Sequence, residues 1–489
     1  MAQYVLTCAT ALADKTALSI IGADMQDDWT YAQLESAVRG TATGLLQLGL
    51  RSGDRILMRL GNTPEFPILF LGAITAGMVP VPTSPQLTTP EVDKICADLS
   101  PALIVADHGI AMPTIAPCPT LPVETLHDFH SLPLAFYDQG SPDRLAYIIY
   151  TSGTSGQSRA VCHAHRAIWA RRMMLTGWYG MTAHDRLLHA GAFNWTYTLG
   201  TGLMDPWTIG SCALIPAPDV APAQLPDLMA QHRVSIFAAA PGIYRQMLKV
   251  EIPDMPTLRH GLSAGEKLPD RVRSGWNNAT KTMIFEAFGM SECSTFISGS
   301  PTHPAPHGAS GYPQTGRRVA ILDDDGQPVT HDTAGTLAIH RDDPGLMLGY
   351  LDAAKETAAK FTGDWFLTGD TCTMAADGAV TYLGRDDDMM NAGGFRVSPV
   401  EVETALATHP DINEIAVVEV TVKADTTVIG AFYTSDIRLN EADLKDYAKK
   451  QLARYKTPRI FTQMGILPKG ANGKLLRQKL RKSFEATLD

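Results

Sequence analysis

The sequence predicts an α/β protein in two units: a large N-terminal one, residues 1–386, with mostly parallel sheets under helices, and a small α+β one, residues 387–489. Three observations predict it. Strand-like and helix-like segments alternate from Asp54 to Asp107. The texture changes at "GRDDDMMNAGGFRVSPVEVE" (Gly384–Glu403), where three aspartates and the pair Gly393-Gly394 precede a helix. And 489 residues exceed what one ordinary core organises.

Taken in order, "DRILMRL" (Asp54–Leu60) reads as a strand. "TPEFPILFLGAITAG" (Thr63–Gly77) reads as a buried helix that Gly77 stops. "MVPVP" is extended. "TTPEVDKICADL" predicts a helix with Thr89 as N-cap and Pro90 in its first turn, and "ALIVAD" is a strand again. This β-α-β-α order argues for parallel pairing. In the small unit, "IAVVEV" and "VIGAFY" read as strands, and a basic helix starts at Glu441.

Composition narrows the function classes. A net charge of −10 argues against general nucleic-acid binding. The charge is uneven: residues 441–489 hold 12 Lys+Arg against 5 Asp+Glu, net +7, which leaves −17 elsewhere. Such an end meets phosphates or simply solvates a helix face. The seven cysteines are scattered with no C-x-x-C pair, so the pattern indicates neither a zinc site nor a disulfide framework, and a reducing cytoplasm is expected. The N-terminus lacks a basic region followed by an apolar core. The longest apolar stretch, Phe66–Pro82, is broken by Gly72, Gly77 and three prolines, too short and interrupted to span a bilayer.

One short segment asks for a ligand. The strand "AYIIY" runs into Thr151, Ser152, Gly153, Thr154, Ser155 and Gly156. Glycines let the backbone approach a ligand closely, and hydroxyls and N–H groups then converge on an anion, for which phosphate is the natural choice. The spacing is not that of a Walker A loop, since Gly153 and Gly156 are three apart with no lysine after them. Alone, the segment is equally a surface turn.

It is not alone. "YTSGTSGQSRAV" resembles the phosphate-binding signature of the adenylate-forming superfamily, which includes acyl-CoA synthetases, peptide-synthetase adenylation domains and luciferases. Five further stretches follow in that family's order over nearly the whole chain: "LSAGEKLP", "FGMSE", "FLTGD", "GRDDDMMNAGGFRV" and "PKGANGK". The resemblance implies a large adenylate-forming domain with a mobile cap. It implies ATP, Mg2+ and coenzyme A, and a two-step reaction: a carboxylate attacks the α-phosphorus of ATP and expels pyrophosphate, then a thiol attacks the acyl-AMP carbonyl and expels AMP. Both steps develop charge on oxygen, so placed cations and N–H donors matter more than a protein nucleophile.

The roles it implies are these. The residues Thr151–Gly156 hold the β- and γ-phosphates. Ser158-Arg159 stand where the family often has Pro-Lys; Arg159 keeps the charge with a different donor geometry, or faces solvent. Gly265 and Glu266 line the adenine pocket, with Phe288 and Gly289 beside them; Phe288 stacks on adenine or belongs to the core. Ser291 keeps a hydroxyl where threonine is usual, and Glu292 orders Mg2+. Asp370 accepts the ribose hydroxyls, with Arg385 as ribose or phosphate partner, although a Gly-Asp pair is otherwise a common turn.

In the cap, Lys474 bridges the substrate carboxylate and the α-phosphate. Asp387 is the hinge about which the cap rotates between steps. Gly393 and Gly394 lie close to the pantetheine thread of CoA, and Arg396 contacts nucleotide phosphate or CoA, its alternative being a salt bridge to Glu401 or Glu403.

The acid is expected at "AFNWTYTLGTGLMDPW" (Ala192–Trp207), with Phe193, Asn194, Trp195, Tyr197 and Ala264 as pocket residues or plain core. Asn194 is uncharged where amino-acid-activating members place an aspartate. "YTLGTGL" is similar to the same stretch of benzoate-type CoA ligases. The expected substrate is therefore an aromatic or short-to-medium aliphatic acid, and the expected activity that of an ATP-dependent acid–CoA ligase. Two rivals remain: loading of a separate carrier-protein thiol, and a non-catalytic nucleotide-binding module. Oxidative chemistry of the luciferase kind is also open at this point.

Overall fold

The computed structural model describes residues 1–151, 159–392, 395–423, 426–470 and 475–487, with the side chains of Thr151, Asn391, Ala392, Phe395, Arg396, Lys423 and Thr426 also outside the description. The helix Glu65–Thr75 buries every residue from Phe66 to Thr75, as its all-round apolar sequence requires. It connects Arg55–Arg59 to Val79–Pro82 in a four-stranded sheet, completed by Leu103–Ala106 and Thr120–Pro122, whose strands pair in parallel. The next helix, Thr89–Leu99, is capped by Thr88 and not Thr89. The Thr88 N–H and hydroxyl both donate to the Glu91 carboxylate at 2.7 Å, a closure of the first turn that Thr89, one residue later, does not make.

The largest sheet has nine strands. Its centre is parallel, in the order Met283–Met290, His260–Ala264, Ile236–Ala239, Arg186–His189, Cys212–Pro216 and Thr16–Ile21. Antiparallel strands close both edges. Side-chain alternation sorts the central strands onto two cores: Leu188, Phe237 and Ala239 pack with Trp276 on one face, Leu187, Ile236 and Ala238 with Trp178 and Tyr197 on the other. Three of the expected site segments leave the C-terminal ends of these strands: Ala192–Tyr197 after His189, Gly265-Glu266 after Ala264, and Ser291-Glu292 after Met290. In an open α/β sheet, that edge is where ligands bind.

An antiparallel sheet of Val319–Leu322, Gly335–His340, Trp365–Met374, Phe361–Thr362 and Val380–Arg385 follows. From Met390 onward the chain builds its own core. The strands Glu414–Lys423, Thr426–Thr434 and Ile460–Gln463 bury Val417, Ile429 and Ala431 against Val402, Leu406 and Leu444 on one face. On the other they bury Val418 and Phe432 against Leu467 and Leu480. Among the described residues, no helix is long and apolar enough to cross a membrane.

Candidate active site

Asp370 and Arg385 face each other in register on neighbouring strands, with Arg385 Nη1 3.5 Å from Asp370 Oδ1. The same Nη1 donates to the Thr368 carbonyl at 3.0 Å. Burial works to lower the Arg385 pKa, but Asp370 and then Asp387 outweigh it and hold the cation above its ordinary value. Gly369 makes the approach possible: its φ is +76°, and a Cβ there would lie 3.0 Å from Arg385 Nη2. The Asp387 carboxylate lies 3.5 Å from Arg385 Nε, so the expected hinge adjoins the expected ribose partner.

Glu292 accepts a hydrogen bond from Tyr350 Oη at 2.8 Å. Burial, and then the carboxylate, push the Tyr350 phenol above its ordinary pKa, which keeps it a donor. Tyr350 is held there by the pairing of Gly349–Tyr350 with Cys162 and Val161. Arg159 lies over the Tyr350 ring at 5.0 Å and pairs with Glu356 at 3.3 Å, so it adjoins the Glu292 partner. Ser291 is half-buried in the turn between Met283–Met290 and Ser294–Ser298.

The aromatic segment folds against the Gly265 turn. Trp195 meets Tyr197 edge to face at 5.2 Å, and a Cβ on Gly265, whose φ is +96°, would lie 2.7 Å from Trp195 Cζ2. Tyr197 is buried, donates to the Leu262 carbonyl at 3.1 Å, and shares its cluster with Ala264. Phe193 is buried in a different cluster, 5.5 Å from Phe66. Asn194 is half-buried between them.

Phe288 packs on Tyr382 at 5.4 Å and on Phe296 at 5.7 Å. Gly289 lies so close to the next strand that a Cβ would stand 2.3 Å from the Ser294 carbonyl oxygen. Glu266 is half-buried, within electrostatic range of Arg245 and Lys469. Ser152, Gly153, Thr154, Ser155, Gly156, Gly393, Gly394 and Lys474 lie outside the described residues, as do the side chains of Thr151 and Arg396.

Several residues in this region gave no signal in the sequence. Tyr350 stands 58 positions from Glu292. Asn62 clamps the aromatic loop from outside it, donating to the Gly191 carbonyl at 2.8 Å and accepting from the Phe193 N–H at 2.9 Å. His189, fully buried, sits edge-on to Tyr197 at 4.3 Å, and neither ring nitrogen has a hydrogen-bond partner among the described residues. Burial lowers its pKa to about 3, so the ring is neutral near pH 7.

The half-buried Asp370–Arg385 pair, the tyrosine-held Glu292 and the aromatic loop at the Gly265 turn belong to the large unit, and the small unit has its own core; the class they fall in is the adenylate-forming one, on the match that follows. The chain belongs to the AMP-binding enzyme family: that family's model matches residues 7–351, and the model of its C-terminal domain matches residues 401–474. It is 31% identical to the benzoate–CoA ligase of Thauera aromatica over 94% of this chain and 91% of that protein. It is 30% identical to the 4-hydroxybenzoate–CoA/benzoate–CoA ligase of Rhodopseudomonas palustris, covering 94% and 89%. The crystal structure of the anthranilate CoA ligase AuaEII in complex with anthranoyl-AMP superposes with a TM-score of 0.90 at 25% identity, covering 99% of this chain and 97% of that one.

Proposed function

We propose that this chain is an AMP-forming acid–CoA ligase for an aromatic carboxylic acid. The observation that carries the reading is the convergence of Trp195, Gly265 and Glu292 on the C-terminal edge of one parallel sheet, in a chain whose relatives include ligases of benzoate and 4-hydroxybenzoate.

In the first step, a carboxylate oxygen bonds to the α-phosphorus of ATP and the bond to pyrophosphate breaks. In the second, the CoA sulfur bonds to the acyl carbon and AMP leaves. Asp370 and Arg385 anchor the ribose. The Thr151–Gly156 segment holds the outer phosphates, and Lys474 bridges carboxylate and α-phosphate during the first step. The acid's ring lies against Trp195 and Tyr197.

Glu292 is the proposed Mg2+ residue. Its carboxylate, fixed by Tyr350, is a hard oxygen donor, and among the described residues no cluster of three or more His, Cys, Asp or Glu competes for a metal. One carboxylate with nucleotide oxygens fits a cation that keeps few protein ligands, and bound there it would neutralise phosphate charge. We place the boundary between the units at Asp387 and the enzyme in the cytoplasm. Free CoA is the proposed acceptor, since the relatives named above are CoA ligases, and a carrier protein is not.

The test is turnover with ATP, Mg2+ and CoA across benzoate, hydroxybenzoates, anthranilate, butyrate and hexanoate, reading AMP release and the CoA thioester by mass. At least one aromatic acid should exceed the aliphatic ones by about tenfold or more, the scale on which a shaped pocket discriminates. No AMP from any aromatic acid would overturn the reading.

A further inference from the structure

The two units are joined by a small group of opposite charges. Arg245, on the helix Pro241–Met247 of the large unit, is in direct ionic contact with Glu414, the first residue of the strand Glu414–Lys423 in the small one. Lys469 Nζ lies 2.8 Å from the same Glu414 oxygen. Glu266, from the large unit, attracts both Arg245 and Lys469. Each unit therefore supplies one cation and one anion, and each anion reaches across to the other unit's cation. The Glu414 side chain is 19% exposed, Arg245 28% and Lys469 30%, so solvent and salt screen the group less than an exposed surface pair.

Its position matters more than its strength. Lys469 forms an antiparallel bridge with Leu475, and the Leu476 N–H donates to the Pro468 carbonyl at 2.9 Å. Holding Lys469 therefore also holds Leu475 and Leu476, which directly follow Lys474 in the sequence. Glu414 is also anchored: its strand pairs with Thr426–Thr434 along nearly its whole length. A rotation of the small unit would separate Arg245 from Glu414, and Glu266 from Lys469, while leaving Glu414 with Lys469.

We infer that Arg245 and Glu414 are positioning residues which dock the small unit on the large one in the orientation used for acyl-AMP formation, and which must part before the thiol step. The inference rests on the proposed ligase reading. A contact present in one orientation and absent in the other shifts the population between them by its differential free energy. Weakening it therefore slows the first step selectively and leaves the second unchanged or faster. A merely stabilising contact would move both steps together.

The experiment compares Glu414→Gln and Arg245→Ala with the unsubstituted full-length protein. ATP–pyrophosphate exchange reports the first step, and thioester formation from supplied acyl-AMP and CoA reports the second. Exchange should fall by about 3- to 10-fold in each variant, the range for loss of a partly screened ion pair, with the second step not reduced. The reversed pair, Arg245→Glu with Glu414→Arg, should recover part of the loss. Hydrogen exchange, which needs no turnover, should speed up in residues 241–247 and 464–470 of the single variants. Equal changes in both steps, no change in either, or unchanged hydrogen exchange would overturn the inference. Faster hydrogen exchange in a protein that activates no acid would instead uphold the docking pair and sink the ligase reading.

Discussion

Arg171 and Asp205 form a fully buried ion pair, with Arg171 Nη2 2.6 Å from Asp205 Oδ2 and both side chains almost without solvent contact. Burial works to lower the guanidinium pKa, and Asp205 with Tyr179 overcomes it, so the cation is held above its ordinary value. The pair has a structural reach. Asp205 continues the aromatic segment, while Arg171 Nη1 donates to Ser294 Oγ at 2.6 Å, two residues past Glu292. The aromatic segment and the Glu292 turn are thus braced through one side chain.

Removing one partner of a buried pair leaves the other charge uncompensated, at a cost of about 3–5 kcal/mol. Arg171→Met should lower the urea midpoint strongly, and the double variant Arg171→Met/Asp205→Leu should recover most of the loss, because no lone charge remains. A double variant less stable than Arg171→Met would contradict this account.

Trp195 and Gly265 are expected to act as one unit. Trp195→Ala should change the ranking of acids in the ligation screen, with bulkier rings gaining relative to benzoate. Gly265→Ala places a methyl 2.7 Å from Trp195 Cζ2 at a φ of +96°, so it should lower kcat/KM by about tenfold or more through strain and a displaced ring. An unchanged acid profile in Trp195→Ala would remove that ring from the pocket.

The two steps should divide between Lys474 and Asp387. Lys474→Ala is expected to reduce acyl-AMP formation by about 100-fold or more, the scale of one electrostatic contact to a transition state, and to affect thioester formation from supplied acyl-AMP far less. Asp387→Pro should do the reverse, since a fixed φ hinders rotation. Parallel losses of both steps in both variants would refute the division.

Acid should weaken the fold. Burial lowers the pKa of His163 and His260 to about 4 and that of His189 to about 3. All three are neutral when folded, and each takes up a proton near pH 6.5 once unfolded. The unfolded chain binds more protons in that window, so stability rises with pH there and is full above about 6.5. Each histidine should cost about 1.4 kcal/mol per pH unit below that value. Buried Glu286 and Glu403, whose pKa values burial raises, work in the opposite direction toward the carboxylate range. Urea midpoints that stay level from pH 7.5 to 5.5 would rule the effect out.

Local patterns were legible because they depend on neighbours in the chain. The apolar run Phe66–Ile74 reads as a buried helix, and the four β-branched or aliphatic residues of Leu103–Ala106 as a strand. Where two threonines competed for one cap, only the reach of Glu91 chose Thr88. Phe193 and Trp195 stand two apart in one aromatic stretch, yet the fold sends Phe193 into the core beside Phe66 and Trp195 to the Gly265 turn.

By itself the sequence determined the family, the alternating architecture and the chemistry on offer, since motif order and periodicity are written in consecutive residues. Only the tertiary structure decided the partnerships: Tyr350 holding Glu292, Arg171 bracing Ser294, Arg245 reaching Glu414 across the two units. The reason is physical. Each such contact joins residues far apart in the chain, and its energy depends on a distance and a degree of burial that exist only after the sheets have formed.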